Sequence, residues 1–300
     1  MLDAILADLL DLNIKRITIT RDSRLADIDK PVEKIIASGN IWQQWQDIMN
    51  DNSFAIIIAP EENYTLYKLT IMAEQTSCTL LGCSASAVKL ASSKLATSEL
   101  LSRHSIPCVT TRLIHQGLDQ QVNKWIVKPD DGAGGEGCIF FDSLDKLNIY
   151  IDQIPSDTPH IIQPYIHGKS GSISLLCLDG ECRVIGCNEQ LFEFDQGKGK
   201  LKGIIINGLI DHLPEFNVLA NNIVKTFPGL SGYVGVDLIL SENGAVVLEI
   251  NPRLTTSYAG LHQSLHQNPM SWLLKIIQER RLPELDGVKY SPVQVMLEDL

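Results

Sequence analysis

The chain has 300 residues, of which 44% are hydrophobic and 20% are charged, and its formal net charge is −11. This composition is typical of a folded globular protein and excludes an intrinsically disordered chain. The acidic balance and the lack of a Lys/Arg stripe argue against a nucleic-acid-binding protein. The N-terminus does not resemble a signal peptide, and no apolar run approaches the ~20 residues needed to cross a bilayer. We therefore expect a cytoplasmic protein that does not enter a membrane.

The first third of the sequence alternates between helical and strand patterns. Helices are predicted over residues 2–12, 31–50 and 66–75, and strands over residues 17–20, 54–60 and 79–82. The run at 54–60 is continuously apolar, which is typical of a buried strand in a parallel sheet. This alternation predicts a small, doubly wound α/β domain over residues 1–87.

The rest of the chain has a different order of predicted elements, in which strands are joined mostly by turns. Helices are predicted over residues 88–104, 144–154 and 216–227, and strands over residues 125–129, 138–141 and 160–166. A hairpin turns at Asp179-Gly180, and a long loop with several glycines is expected over residues 195–202. These patterns indicate an α+β architecture, with domain boundaries near residues 87 and 166.

Seven cysteines occur without a C-x-x-C pair, which argues against a zinc knuckle or a thioredoxin-type site. Cys177, Cys182 and Cys187 are evenly spaced, a pattern that resembles a metal site at first sight. Because they lie along an apparent strand–turn–strand, we interpret them as small, buried hydrophobic residues.

Two carboxylates face each other on the hairpin that begins at residue 232. A three-residue loop over 242–244, with Gly at the left-handed position, is a common connection, and it would pair Asp237 with Glu249. Asn251 then shares the face of Glu249, because side chains alternate with period two. Like charges at this distance repel, and hard cations with oxygen ligands relieve that repulsion. A two-residue Asn-Gly loop, formed by Asn243 and Gly244, would instead place the acids on opposite faces of the sheet. The hairpin alone therefore leaves a metal site and an ordinary solvated sheet both open.

A lysine and a glycine-rich loop follow the apolar strand WIVKP. Lys128 directly precedes a loop whose glycines allow the backbone to approach a phosphate; these are Gly132, Gly134, Gly135 and Gly137. The loop is neither a P-loop nor a dinucleotide fingerprint, because both of those open into a helix and this loop leads into a strand. Lys94 by itself is typical of a surface lysine. The segment from Gln163 to Ile166 is an extended strand end that could offer backbone groups to an adenine edge.

Taken in order, these segments resemble the ATP-grasp superfamily over residues 80–258, and the preceding part is similar to a pre-ATP-grasp α/β domain. The resemblance implies an ATP-grasp fold, in which residues 88–166 form a small lobe and residues 167–300 form a large lobe with the metal site. It implies ATP contacts by Lys94, Lys128, Gly132, Gly134, Gly135, Gly137, Gln163, Tyr165, Ile166 and Ser170. It also implies two magnesium ions, or manganese, on Asp237, Glu249 and Asn251, with Arg253 and Lys128 as catalytic residues.

The sequence departs from the superfamily pattern at two positions. Many members have a Glu for the ribose hydroxyls where this chain has Ser170, and Ser172 is the other residue that would substitute for it. Some ligases have an Arg two residues before the metal-binding Asp, where this chain has Gly235. The resemblance then leaves Arg253 as the residue that supplies that positive charge.

Within the superfamily, the chain is similar to the tyramine–glutamate ligase group of methanofuran biosynthesis. The similarity lies in the APEEN stretch, the LGCSASAVKLASSK run and EINPRLTTSYAGL. It implies a ligase that joins glutamate to tyramine or a related amine through an acyl phosphate in the biosynthesis of a methanofuran-type cofactor. Candidate substrate contacts are Thr255, Thr256, Ser257 and Tyr258. A homodimer is an assembly that this resemblance leaves open.

Three other functions are compatible with parts of the sequence. An ATP-grasp ligase for a different amino-acid pair would have the same motifs. A non-catalytic ATP sensor would bind the nucleotide without consuming it, although it would not require both acids together with Asn251 and Arg253. His262 and His266 have the i,i+4 spacing of a metal site, but no H-E-x-x-H signature accompanies them.

Overall fold

The N-terminal segment builds two small parallel sheets. In the computed structural model, the described residues are 1–116, 122–132, 135, 137–155 and 159–297. The segment contains α1 (Leu2–Asp11), β1 (Thr18–Arg21), β2 (Glu33–Ile36), α2 (Ile41–Asn50), β3 (Phe54–Ala55), α3 (Thr65–Glu74) and β4 (Thr79–Leu80). β1 pairs in parallel with β2, and β3 pairs in parallel with β4, as expected of an α/β layer.

For two elements of this segment, the predicted bounds were wrong. The helix expected over 31–50 is a strand followed by a helix, because Gly39 adopts a left-handed φ of 63° and the Asn40 side chain caps α2 at the backbone N–H of Gln43. The strand expected over 54–60 pairs only at Phe54 and Ala55. Its partner β4 is equally short, so the apolar residues that follow Ala55 have no ladder to extend.

The middle segment contains α4 (Ala85–Ala91), α5 (Lys94–Arg103), β5 (Arg112–Leu113), β6 (Trp125–Pro129), β7 (Ile139–Phe141), α6 (Leu144–Ile151) and β8 (His160–Pro164). The single helix expected over 88–104 is therefore two helices. The break occurs at Ser93, whose side chain accepts a hydrogen bond from the Ala96 N–H at 3.0 Å and caps α5, which is a common way to begin a helix. Lys94 is the first residue of α5.

The last segment contains β9 (Lys169–Leu178), β10 (Glu181–Asp195), β11 (Lys198–Ile206), α7 (Leu213–Thr226), β12 (Gly232–Ser241), β13 (Gly244–Asn251), α8 (Tyr258–Leu265), α9 (Pro269–Glu279) and β14 (Val293–Met296). One large sheet has the order β13-β12-β9-β10-β11-β7-β6-β8-β5, and β14 also pairs with β11. This antiparallel sheet runs through both the middle and the last segments.

The long loop expected over 195–202 is instead the tip of the β10–β11 hairpin. Asp195 pairs with Lys198, and the two turn residues, Gln196 and Gly197, have left-handed φ values of 49° and 81°. The Phe140 N–H donates to the Gly197 carbonyl at 2.7 Å, so the tip attaches to β7. The glycines that suggested a loop belong to this tight turn and to the strand contact beside it.

Apolar residues cover both faces of the large sheet. One core lies between β9, β12, β13 and helices α4, α5 and α7, and the other lies between the opposite face and helices α1, α8 and α9. Cys177, Cys182 and Cys187 are free and belong to the first core, which confirms their interpretation as hydrophobic residues. No helix among the described residues has the length and apolar character needed to span a bilayer.

Candidate active site

A cavity of about 510 Å³ lies between the glycine-rich segment and the large sheet. Most of the residues expected to form the site line it: Lys94, Lys128, Gly132, Gly135, Gln163, Tyr165, Ile166, Ser170, Asp237, Glu249, Asn251, Arg253, Thr255, Thr256 and Ser257. These residues come from both lobes and are brought together only by the fold. Gly134 lies outside the described residues.

The hairpin places both acids in this cavity, but its turn differs from the prediction. The loop has two residues, since Ser241 pairs with Gly244. A β-bulge at Leu248 then shifts the register, so that Asp237 pairs with Glu249 as expected. In a regular strand Val247 and Glu249 would share a face; with the bulge, Val247 packs in the core while Glu249 lines the cavity. The bulge therefore aims the carboxylate.

Glu249 is held between two buried lysines. Its Oε2 atom lies 3.4 Å from Lys94 Nζ and 3.8 Å from Lys128 Nζ. Burial opposes ionisation of this carboxyl, but the two ammonium groups outweigh burial and lower the pKa of Glu249. Burial also lowers the pKa of Lys128, an effect that the charge of Glu249 opposes. Lys94 Nζ donates in addition to the carbonyl oxygens of Asp130 and Gly132, which ties it to the glycine-rich segment.

Asp237 has a different environment from its neighbour. Its Oδ1 accepts a hydrogen bond from Gln190 Nε2 at 2.9 Å, and its Oδ2 accepts one from Asn251 Nδ2 at 3.1 Å. Within the described part of the chain, no Lys or Arg side chain forms an ion pair with it. Burial and the nearby charge of Glu249 raise the pKa of the Asp237 carboxyl. Asp237 is therefore a partly buried acid without an ion-pair partner among the described residues.

An aromatic wall borders one end of the cavity. The rings of Phe140 and Tyr165 have centroids 5.1 Å apart in an edge-to-face arrangement, and those of Phe192 and Phe194 are 5.4 Å apart. Tyr165, Phe192 and Phe194 line the cavity. The Gln163 side chain also borders it, and its Nε2 donates to Thr111 Oγ1 at 2.9 Å. This end offers flat, apolar surfaces of the kind that stack on a ring system.

The glycine-rich segment requires glycine at two described positions. Gly135 has a φ of 79°, and a Cβ atom there would lie 2.8 Å from the Phe192 ring. Gly137 has a φ of 70°, and a Cβ atom there would lie 2.8 Å from Pro129 Cδ. Any other residue would be strained in this backbone conformation and would collide with a neighbour.

The two serines proposed for the ribose position are already engaged. Ser170 Oγ donates to Gln190 Oε1 at 2.8 Å, and Gln190 in turn donates to Asp237. Ser172 is buried, and its Oγ lies 3.4 Å from Ser257 Oγ. Sequence reasoning did not find Gln190, although its place in the NEQLFEF stretch, a polar residue within a strand pattern, was a signal.

The candidate substrate residues divide into two groups. Thr255, Thr256 and Ser257 line the cavity. Tyr258 points away from it, because its hydroxyl donates to the buried Asp8 Oδ2 at 2.6 Å. His262 contacts the other oxygen of the same carboxylate at 2.6 Å, and no cluster of three His, Cys, Asp or Glu residues suited to a metal exists among the described residues.

The comparisons with known proteins agree with this geometry. A family model described as an ATP-grasp domain matches residues 91–257, which is more than half of the chain. The chain belongs to the ATP-grasp family. A second family model, described as a pre ATP-grasp 3 domain, matches residues 15–88. The ATP-grasp fold with its preceding α/β domain, and the resemblance to ATP-grasp ligases, are therefore confirmed.

Among its relatives, this ATP-grasp protein is 28% identical to the tyramine–L-glutamate ligase of Methanocaldococcus jannaschii over 252 residues, which cover 83% of this chain and 68% of the relative. It is 31% identical to the enzyme of the same name from Methanocaldococcus fervens over 215 residues, 69% of this chain and 61% of the relative. The chain thus spans about two thirds of the length of these relatives.

The fold also matches a solved structure over almost its whole length. An ATP-grasp superfamily protein from Archaeoglobus fulgidus superimposes with a TM-score of 0.73 at 23% sequence identity. The match covers 98% of this chain and 84% of that chain. At this level of identity the comparison supports the fold alone.

ATP-grasp enzymes use ATP and typically Mg²⁺, and the residues of this site fit that ion. The donor set consists of two carboxylates and the amide of Asn251, which suits a hard cation that completes its shell with phosphate oxygens and water. The carboxylate of Asp237 has no ion-pair partner among the described residues, and a divalent cation would place positive charge beside it. Zinc sites normally contain Cys or His ligands, whereas the donor atoms of this set are all oxygen.

Proposed function

We propose that this ATP-grasp protein is an ADP-forming carboxylate–amine ligase that makes an amide through an acyl phosphate. The observation that supports the proposal best is the paired Asp237 and Glu249 in the cavity, with Lys94 3.4 Å and Lys128 3.8 Å from Glu249. Two acids and two ammonium groups at one end of a cavity suit a cation together with a polyphosphate.

In the first step of the proposed reaction, the donor carboxylate attacks the γ-phosphorus of ATP. A phosphorus–oxygen bond forms, the bond to the bridging oxygen breaks, and ADP leaves with that electron pair. Lys94 and Lys128 would balance the charge of the phosphate oxygens, and Asp237, Glu249 and Asn251 would hold magnesium. When bound, Mg²⁺ or Mn²⁺ supplies positive charge that offsets the charge of the β- and γ-phosphate oxygens. We include two such ions in the proposal.

In the second step, the amine attacks the acyl carbon, the carbon–nitrogen bond forms, and inorganic phosphate leaves as the nitrogen loses a proton. Arg253 borders the cavity beside the acids, where its positive charge would stabilise the developing oxyanion. Gly132 and Gly135 line the cavity, and we expect the glycine-rich segment to cover this region when ATP is bound. Exclusion of water by that cover would protect the acyl phosphate from hydrolysis.

The names of the relatives suggest the substrates. Both are tyramine–L-glutamate ligases, and we propose glutamate as the carboxylate donor and tyramine or a related amine as the acceptor, in the biosynthesis of a methanofuran-type cofactor in the cytoplasm. Thr255, Thr256 and Ser257 line the cavity next to Arg253. We assign these hydroxyl-bearing residues to substrate contacts, because they line the cavity and closely follow Arg253 in the chain.

Release of inorganic phosphate tests the proposal. The protein is incubated with MgATP, L-glutamate and one amine from a panel that includes tyramine, tyrosine and other amino acids, and the product is identified by mass spectrometry. We expect phosphate release that requires both glutamate and tyramine, with one amide formed per phosphate. Release with another pair would reject the substrates but retain the ligase. Binding of ATP without release in any mixture would reject the ligase in favour of a sensor.

A further inference from the structure

A buried ion pair joins the pre-ATP-grasp domain to the active site. Arg253 Nε donates to Glu61 Oε1 at 2.9 Å, and Arg253 Nη2 donates to Glu61 Oε2 at 2.9 Å. The two residues are 192 positions apart in the sequence, and only 5% of the surface of Glu61 is exposed. A two-point bond of this kind fixes the plane of a guanidinium as well as its position.

Arg253 borders the cavity, whereas Glu61 does not belong to its lining. A guanidinium has five N–H groups. Arg253 uses two of them for Glu61 and one, from Nη1, for the Leu254 carbonyl oxygen at 3.2 Å. Two N–H groups have no hydrogen bond among the described residues. Glu61 therefore contacts the guanidinium from outside the cavity lining. It leaves those N–H groups available to a ligand in the cavity.

The segment that carries Glu61 is itself held in an unusual conformation. Asn63 and Tyr64, which follow it, have left-handed φ values of 54° and 58°, a region that residues with a side chain seldom occupy. The Asn63 N–H donates to Asp131 Oδ2 at 3.0 Å, next to Gly132 of the glycine-rich segment. One short turn of the pre-ATP-grasp domain thus contacts both Arg253 and the start of the phosphate-covering loop.

We propose that Glu61 is a positioning residue that orients Arg253 towards the oxyanion that develops when the amide forms. This inference rests on the proposed ligase function for its kinetic consequence, and it assigns to the pre-ATP-grasp domain a direct part in the chemistry. Glu61 acts through Arg253 and does not touch the substrates. Its effect belongs to the step in which charge develops in the cavity, because the guanidinium must already face the oxyanion when that charge appears.

The kinetic test compares Glu61→Gln with Glu62→Gln, a matched change at the adjacent, exposed residue. We expect Glu61→Gln to lower kcat for phosphate release about 10- to 100-fold, with the KM for ATP changed by less than about two-fold. Glu62→Gln should behave as wild type, and Glu61→Asp, which keeps the charge, should recover part of the rate. An equal loss in both Gln variants, or a loss confined to the KM for ATP, would overturn the proposal.

A double variant shows whether Glu61 acts through Arg253. Because Arg253→Met removes the group that Glu61 orients, adding Glu61→Gln to it should cause no further loss of kcat. A multiplicative loss would show that Glu61 acts by another route and would overturn the proposal. Arg253→Met alone should lower kcat more than it weakens ATP binding.

A measurement that does not need activity separates this inference from the proposed function. In ¹⁵N-arginine NMR spectra, the Nε–H signal of Arg253, assigned with Arg253→Lys, should exchange slowly with water in the wild type and rapidly in Glu61→Gln, while Glu62→Gln leaves it unchanged. Unaltered exchange in Glu61→Gln would overturn the positioning role even in an active enzyme. If the wild type releases no phosphate from any substrate mixture, the ligase proposal fails and the spectra still decide the role of Glu61.

Discussion

Glu249 sets the charge balance at the phosphate end of the cavity. Its carboxylate contacts Lys94 and Lys128 at the same time, so it serves both the cation site and the lysines. We expect Glu249→Gln to lower phosphate release by more than about 100-fold, because the cation loses a charged ligand. Circular dichroism should show a retained fold with a lower melting temperature, since two buried ammonium groups lose their partner. Glu242→Gln, at the exposed turn of the same hairpin, is the control, and near-normal turnover of Glu249→Gln would refute the assignment.

The carboxyl group of Asp237 should lower the stability of the metal-free protein relative to that of the Asp237→Asn variant. Burial raises the pKa of this carboxyl, so the folded state holds the proton more tightly than the unfolded state does. Asp237→Asn should therefore have no advantage below about pH 4, where both states are protonated. Its advantage should grow as the pH rises towards the raised pKa and then stay at about 1–2 kcal/mol.

Denaturant unfolding as a function of pH measures this difference, with exposed Asp286→Asn as the control. Added Mg²⁺ should stabilise the wild type but not Asp237→Asn, because the cation needs the charged oxygen. A variant that is less stable than the wild type at neutral pH without metal would contradict this view of Asp237.

At the scale of elements, the β12–β13 hairpin shows what strand patterns can and cannot predict. The pairing of Asp237 with Glu249 was predicted, because both acids interrupt apolar runs at equal distances from a turn. The turn itself was wrong: it has two residues, and the extra residue lies at the Leu248 bulge instead. A bulge depends on packing on both faces of the sheet, here Val247 against the core, and the local sequence does not contain that information.

The β10–β11 hairpin, whose tip was predicted as a loop, supplies two rings of the aromatic wall, those of Phe192 and Phe194. Phe192 lines the cavity and packs against Phe194, and its ring also touches the position where Gly135 lacks a side chain. Phe192→Ala should weaken ADP binding by up to about ten-fold, since an aromatic contact contributes roughly 0.5–1.5 kcal/mol beyond its buried area. Isothermal titration calorimetry checks this, with exposed Lys200→Ala in the same hairpin as the control. Unchanged affinity would remove this wall from the nucleotide site.

At the scale of the whole molecule, the first helix is attached to the helix that follows the substrate segment. Asp8 is buried and accepts hydrogen bonds from Tyr258 and His262 of α8. We expect Tyr258→Phe to lower the free energy of unfolding by about 1.5–3 kcal/mol, because a buried carboxylate loses a donor. The KM values for the substrates should not change, since Tyr258 does not line the cavity. An altered KM for the amine with unaltered stability would show that Tyr258 contacts the substrate and would contradict this structural role.

The sequence predicted the order of the domains and most of the cavity lining, because the glycine-rich loop, the lysines and the acids each have a local pattern. It missed the role of Glu61, whose contact with Arg253 spans 192 residues, and it missed Gln190, whose neighbours are set by strand order. It also placed Tyr258 in the site, whereas the structure directs this side chain away from the cavity. That direction depends on Asp8, near the opposite end of the chain, and the local sequence does not show it. Contacts between distant segments are decided by topology, which residue patterns do not specify.

Transfer of an oxygen atom from the donor carboxylate to phosphate shows directly whether an acyl phosphate forms. If the carboxylate attacks the γ-phosphorus, each phosphate released must retain one oxygen atom from the donor carboxylate. Glutamate labelled with ¹⁸O in its carboxylates is incubated with MgATP, tyramine and the protein, and the phosphate is analysed by mass spectrometry. We expect one ¹⁸O atom per phosphate, formed together with one amide. Unlabelled phosphate would show that water attacks the nucleotide, and it would contradict the acyl-phosphate mechanism.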